Sequence, residues 1–368
     1  MDKTKICHIT SVHQAKDNRI FHKECLSLVK EGYDVTLLVI NRETEICNGV
    51  KIISIEHKAK GRISRFLGAT GKLYREAKKI NADIYHFHDP ELMYAGLKLK
   101  WFCGKKVIYD IHENLPASIM SKPYIHFRLV AKLISVLVGI FERFCSGRYA
   151  AIVTATPDIG KRFIKRNPIV LRNFPILPEN EMIDGETEKN ENAIIYVGGI
   201  TKIRGIIQLI NAFELTGNAE LWLLGPFEDE EIQKECISLP AWSKVKYLGV
   251  VPAGEVVKYI RKAAAGIITF LPYPNHITAL PTKPFEYMFG GLPMIMSDFK
   301  YWRDFFGDSA LYANPSDPYD IANKINTLLS DKSLSRKMGE RNLDLVIGQY
   351  NWDIEKLKLL ELYKKLET

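Results

Sequence analysis

The sequence is poor in features that mark a membrane span, a disulfide frame or a common catalytic loop. It holds no run of about 18 uncharged apolar residues, so no stretch reads as a membrane-crossing helix. The opening MDKTK is polar and too short for a secretory leader. Six cysteines (Cys7, Cys25, Cys47, Cys103, Cys145, Cys236) are scattered without a CxxC pair. That pattern argues against a zinc ribbon or a disulfide scaffold and fits reduced thiols in a cytoplasmic protein. No GxxxxGK[ST] loop, GxSxG elbow or GxGxxG turn occurs. A P-loop nucleotidase, a serine hydrolase and a dinucleotide enzyme therefore lack support. No DxD follows a strand, so a metal-held sugar nucleotide is not indicated either.

What is present is an ordinary globular composition, 46% hydrophobic and 26% charged, over 368 residues, long enough for two domains with real cores. The net charge of +8 is uneven. Residues 1–150 carry 25 Lys and Arg against 15 Asp and Glu, the remainder 26 against 28. A basic first half suits an anionic partner (phosphate, nucleic acid or membrane surface) or is simply a lysine-rich solvated surface.

Short β-branched runs alternate with amphipathic stretches along the chain. KICHITS, DVTLLVI, KIISI, DIYHFH, KKVIYDIH and AAIVTAT read as strands, and 19–31, 64–80 and 117–147 as helices. The pattern pauses at 172–192, polar and broken by prolines, which reads as a linker. It restarts with AIIYVGG, AELWLLG, VKYLGV, AGIITFL, LPMIMS and SALYANP. Such alternation predicts an α/β fold of two tandem Rossmann-like, doubly wound domains, with ligands at the carboxyl ends of the strands.

Several polar constellations sit at those ends. AIIYVGGITKIRG places Gly198 and Gly199 after a strand, then Lys202, Arg204 and Gly205 before a helix, an arrangement suited to a diphosphate. In HITALPTKPFEYMFGGLP, Pro281 and Thr282 read as a helix start, with a helix over about 283–289 that stops at Gly290-Gly291. Glu286 lies among Phe285, Tyr287, Met288 and Phe289. It either accepts hydrogen bonds from ligand hydroxyls or pairs with Lys283 on an exposed face. In the first half, DIYHFH ends in His86 and His88 on one strand face, followed by Asp89 and Glu91, and YDIH ends in His112. The three histidines allow a metal site, a substrate contact or plain packing, and no diagnostic spacing singles out a metal. The loop SVHQAKDNR, with His13 and Arg19, is a further candidate substrate contact. Residues 119–147 interleave Lys122, Arg128, Lys132 and Arg143 with large apolar residues. This is a candidate for peripheral contact with an anionic bilayer or a core helix with snorkelling cations.

GGITKIRG and PTKPFEYMFGGLPMIMSD, behind a first domain with HFHDPE and YDIHE and ahead of YNWDIEKL, resemble glycosyltransferase family 4, retaining enzymes of the GT-B fold. The resemblance runs over essentially the whole chain. It implies an N-terminal, acceptor-side domain over 1–175 to which a C-terminal helix, 352–368, returns, and a nucleotide-sugar-binding domain over 176–351. It implies a donor site of Gly199, Lys202, Arg204, Thr282, Lys283 and Glu286, with Glu286 on the second glutamate of the E-x7-E motif and binding the donor ribose. His112 matches the histidine near the donor sugar. His13, Arg19, His88, Asp89 and Glu91 would face the acceptor. Thr278 stands where the motif has its first glutamate, and Ile200 where the family has an arginine.

The implied activity is metal-independent hexosyl transfer from a nucleotide-sugar to a glycan or lipid-linked acceptor in surface polysaccharide or glycoconjugate synthesis. It needs no cofactor and no nucleic acid, and runs in the cytoplasm, with the inner face of the membrane as a candidate place. A sugar-nucleotide epimerase and a non-catalytic homologue share the architecture.

Overall fold

The computed structural model describes residues 3–57, 68–120, 127–177 and 188–367. The chain divides into two units, Met1–Asn173 with Trp352–Thr368, and Phe174–Asn351.

In the first unit eight strands form one sheet: β1 Lys5–Ile9, β2 Asp34–Ile40, β3 Glu45–Cys47, β4 Val50–Ile55, β5 Ile84–Phe87, β6 Lys106–Ile111, β7 Ala151–Thr154 and β8 Ile169–Val170, in the order β3-β4-β2-β1-β5-β6-β7-β8. All neighbours run parallel except β3, which pairs antiparallel with β4. That edge hairpin is an addition to the doubly wound pattern. Its cause is Asn48-Gly49, both at positive φ, a dipeptide that matches the twist of a two-residue hairpin.

Alternation along the strands splits the core in two. Cys7, Ile9, Tyr85, Phe87, Tyr109 and Ile111 pack on one face under helices Thr70–Ile80 and Met93–Cys103. Ile6, Leu37, Ile84, Ile108 and Val153 pack on the other under the helical stretch 20–30 and the last helix, Trp352–Glu367. The last helix is fixed by Trp352, whose Nε1 donates to Ser27 Oγ (2.9 Å), and by buried Leu359 and Tyr363. Of the helix expected over 64–80, residues 64–67 lie outside the described residues; of that over 117–147, residues 121–126 and with them Lys122 do.

The second unit is a six-stranded parallel sheet. Its strands are β9 Ala193–Val197, β10 Glu220–Leu224, β11 Val245–Gly249, β12 Ala265–Ile268, β13 Met294–Ser297 and β14 Ala310–Ala313, ordered β11-β10-β9-β12-β13-β14. Both faces are covered, which suits strands that read as continuous apolar runs. Each sheet reverses its winding once, between β1 and β5 in the first and between β9 and β12 in the second. Open α/β sheets take their ligands at that reversal, beyond the carboxyl ends of the two strands.

Candidate functional site

At the reversal in the second unit, the loop after β9 and the segment after β12 touch. Leu271 N–H donates to Ile203 O (3.1 Å), and the Arg204 guanidinium lies 5.3 Å from the Phe270 ring centre. Thr201 caps the single turn Lys202–Arg204 by accepting from Arg204 N–H. Gly205 follows at φ 73°, where a Cβ would lie 2.1 Å from Thr269 O; only glycine fits both the conformation and the contact. Arg204 Nη1 donates to Gly199 O (3.2 Å). Lys202 points outward and pairs with Glu235 (2.7 Å). Ile200, at the position of the family's arginine, is fully buried.

The helix expected over 283–289 is observed as Lys283–Phe289. Phe285, Tyr287, Met288 and Phe289 are buried, and Tyr287 Oη accepts from Val197 N–H (2.9 Å), tying the helix to β9. Gly266 makes room for it: a Cβ there would lie 2.4 Å from the Tyr287 ring. The helix start differs from expectation. Thr282 has helical backbone angles and makes no side-chain cap, and the proline inside the first turn is Pro284 rather than Pro281. With β-region angles lost, the Thr282 hydroxyl cannot reach back to the free N–H groups. Glu286 is half-buried, and both its oxygens accept from Lys283 Nζ at 2.7 Å. Of the two readings of Glu286, the pair with Lys283 is the one seen. Thr278 Oγ1 donates to Pro274 O (2.9 Å) and is exposed.

At the reversal in the first unit the polar residues turn inward. Arg19 is 5% exposed. Its Nε and Nη2 donate to Asp110 (2.9–3.1 Å), and Nη1 to Leu171 O (2.8 Å). Burial alone would raise the Asp110 carboxyl, but Arg19 beside it, with His112 and His88, holds it well below the usual carboxylate range. Asp110 Oδ2 accepts from His112 Nε2 (3.0 Å), which fixes that ring and leaves Nδ1 as its free nitrogen. His88 Nδ1 lies 3.4 Å from the same oxygen.

Asp89 is buried and accepts from Thr10 Oγ1 (2.7 Å) and Ser11 N–H (2.6 Å), with His13 Nδ1 3.1 Å away. Burial would raise its carboxyl, yet these partners bring it down to about 2. Asp89 in turn raises His13. Glu91, half-buried, accepts from Ser11 Oγ (2.8 Å). The His13 and His112 rings stand edge to face, 5.4 Å apart.

The structure thus brings His13, Asp89, Glu91 and His112 together around the β1 and β5 ends. Arg19, His88 and Asp89, expected to face the acceptor, turn inward here. All three are buried, Arg19 on Asp110, His88 beside the same carboxylate, and Asp89 under the donors of the β1 loop.

Sequence reading missed His8 and Glu24. His8 sits opposite His86 across the β1–β5 pairing, so strand parity was the available signal. Glu24 resembles a surface residue of a helix and carried no signal. His8 Nδ1 is 3.0 Å from His88 Nε2, and Tyr363 Oη bridges His8 Nε2 (3.2 Å) and His86 Nδ1 (2.8 Å). Burial pushes His8 and His86 well below the usual imidazole range and His88 down to about 4. Burial, then the Asp110 charge, raises Glu24. His86, His88 and His112, for which a metal site is one of three readings, do not converge as one set. His112 instead meets His88 and Asp110, whose carboxylate Arg19 already occupies.

Helix Arg128–Ser146 has its polarity reversed. Its buried residues are Ala131, Ser135, Glu142, Cys145 and Ser146, with Glu142 paired to Arg162. Its large apolar side chains face out, from Leu129 at 83% exposure through Leu133, Leu137 and Ile140 to Phe144. Arg128, Lys132 and Arg143 are exposed on the same helix. A cavity of about 390 Å³ beneath it is lined by Asn114, Pro116, Val136, Ile140, Arg143 and Arg162, among others. Among the described residues no helix is long and apolar enough to cross a membrane.

Comparison with known proteins covers both halves. The family described as Glycosyltransferase Family 4 matches residues 18–173, and that described as Glycosyl transferases group 1 matches residues 179–344. This chain is a family 4-type GT-B glycosyltransferase. Sucrose-phosphate synthase from Thermosynechococcus elongatus superposes with a TM-score of 0.73 at 14% identity, over 99% of each chain. Anabaena HepE in complex with UDP gives 0.71 at 12% identity, over 98% of this chain and 100% of that one. The E. coli trehalose-6-phosphate protein bound with UDP-2-fluoro glucose gives 0.71 at 12% identity, over 98% and 99%. At these identities the likeness speaks for the fold. No curated protein matches the chain.

Proposed function

We propose that this glycosyltransferase moves a hexose, with retention and without a metal, from a nucleotide-sugar to a glycan or lipid-linked acceptor in surface polysaccharide or glycoconjugate synthesis. The observation that carries the reading is the convergence at the β9–β12 reversal. There the Gly198–Gly205 loop with Arg204 meets the segment that leads into helix 283–289 and its Lys283–Glu286 pair. Glu286 would leave Lys283 for the ribose hydroxyls, and Lys283 and Arg204 would turn to the diphosphate. Charge that grows on the departing diphosphate would then meet fixed cations and the peptide N–H groups after Thr282. His112, held through Nε2 by Asp110, would present Nδ1 to the donor sugar. His13 and Glu91 would serve the acceptor. Two of the solved relatives hold UDP or a UDP-sugar, which makes a UDP-sugar the first donor to try.

The reversed helix 128–146 supports a lipid-linked acceptor and a place at the inner face of a membrane. Its outward apolar face and its cations suit an anionic bilayer, with Glu142 holding the helix to Arg162 and to Tyr109 of β6.

The deciding test is a thermal-shift panel of UDP-, GDP-, ADP- and TDP-sugars on wild type and Glu286→Ala. One base family should raise the melting temperature of wild type and not of the variant. No shift with any nucleotide would overturn donor binding. A shift without turnover on any acceptor would favour a non-catalytic homologue, for which Thr278 and Ile200 in place of charged residues speak. Co-sedimentation with vesicles containing anionic lipid should be lost in Leu133→Glu/Leu137→Glu; equal pelleting of the two proteins would overturn the membrane reading.

A further inference from the structure

We infer that the buried group His8, Glu24, His86 and His88 is a closed site for one divalent transition metal of the zinc class. The site is structural, separate from the transfer reaction, and independent of the donor reading above. Four side chains from β1, the 20–25 turn and the β5 end converge with one ligand atom each, all within 4.8 Å of one another. Glu24 Oε2 is the common vertex, 3.9 Å from His8 Nδ1 and 4.0 Å from both His86 Nδ1 and His88 Nε2. A tetrahedron with metal–nitrogen bonds of about 2.0–2.1 Å has edges of about 3.4 Å, so the cage needs only small movements to close. Three imidazoles and one carboxylate form a donor set suited to zinc rather than to calcium or magnesium, which take oxygen.

The second observation is what stands unpaired. Both Glu24 oxygens are buried without a hydrogen bond. Arg19 Nε lies 3.0 Å from Oε1, but its N–H is aimed at Asp110 Oδ2. A carboxylate left so in a dry core is costly, and a cation on Oε2 would satisfy it. The surroundings also match those of metal ligands, whose far atoms are held by an outer partner. His8 turns Nε2 to the Tyr363 hydroxyl, His88 Nδ1 lies 3.4 Å from Asp110 and Glu24 Oε1 lies 3.0 Å from Arg19, whereas the far atom of His86, Nε2, is buried without a hydrogen bond. The His8–His88 contact and the Tyr363 contact on His86 Nδ1 would give way to the metal. Every ligand is inaccessible, so the ion enters while the chain folds.

The test uses tag-free full chain from zinc-replete and zinc-depleted growth, and chain refolded with Co²⁺. Zinc-replete protein should carry about one equivalent of metal that resists chelator at ambient temperature, and it should melt higher than depleted protein. The cobalt form should show the intense visible bands of a tetrahedral ion. Glu24→Gln, which keeps the side-chain shape, should lower the metal content at least tenfold while its circular dichroism stays native. Metal-free zinc-replete protein with an unchanged melting temperature would overturn the assignment. So would cobalt with an octahedral spectrum, or full metal content in Glu24→Gln.

Discussion

The two sheets reverse their winding in the same way, yet opposite chemistry stands at the two reversals. In the second unit the charged groups are at least partly exposed and held by short-range pairs, Lys283 with Glu286 and Lys202 with Glu235. Such pairs are worth little and exchange partners at little cost. In the first unit the charges are dry and locked, Arg19 on Asp110 and Asp89 on the β1 loop. A site that must accept a charged ligand benefits from the first arrangement. A site that must hold His112 and His13 in fixed orientation benefits from the second.

The largest effect that would break this contrast comes from Arg19→Met, which keeps the bulk and removes the charge. Asp110 would then lie buried without its guanidinium, and urea unfolding should show a loss of about 3–5 kcal/mol. A loss below about 1 kcal/mol would mean that water reaches the pair and that the first unit is not the locked one.

Gly205→Ala comes next. It forces an alanine to φ 73° and drives its Cβ into Thr269 O, so a loss of about 2–3 kcal/mol is expected. The second unit would thereby be shown to be rigid in its backbone and soft only in its side chains. A loss under about 0.5 kcal/mol would show that the loop itself yields.

How far these features were legible in the sequence follows the same contrast. The strands and the 283–289 helix rest on local patterns: β-branched runs bounded by turns, and a helix bounded by Thr282 and Gly290. The edge strand β3 left a signal in Asn48-Gly49, but its run of three residues is too short to read as a strand. The first unit's interior was not legible. Arg19 meets Asp110 across 91 residues and His86 meets Tyr363 across 277, and nothing local tells a buried Glu24 from a solvated one. Buried ionic networks are decided by partners distant in the chain, which neither composition nor periodicity records.

A smaller effect separates the pH behaviour of the two units. Asp89 is brought down to about 2 by His13 and its other partners, so its stabilisation is complete above the unfolded value near 4 and is lost as pH falls through about 2. His13 is raised by Asp89, so its share is complete below about 6.5 and is lost as pH rises through the folded value. The difference in unfolding free energy between wild type and Asp89→Asn should therefore peak between about pH 4 and 6.5 and shrink on both sides, by about 2 kcal/mol on the acid limb. A difference that stays flat from about pH 2 to about pH 8 would remove the pair from the account.

The smallest expected stability effect carries the most functional weight. Glu286→Ala deletes a half-buried pair one helical turn long, and such a pair is worth about 0.3–0.5 kcal/mol. Unfolding should thus be nearly unchanged while any nucleotide-sugar shift disappears. That split between stability and binding is what a side chain kept for a ligand would show, and Lys283→Ala should show it too, since the lysine would pass from Glu286 to the diphosphate. If either variant instead loses several kcal/mol and keeps the shift, the pair holds the helix, and the donor must be sought on Arg204 and the glycine loop alone.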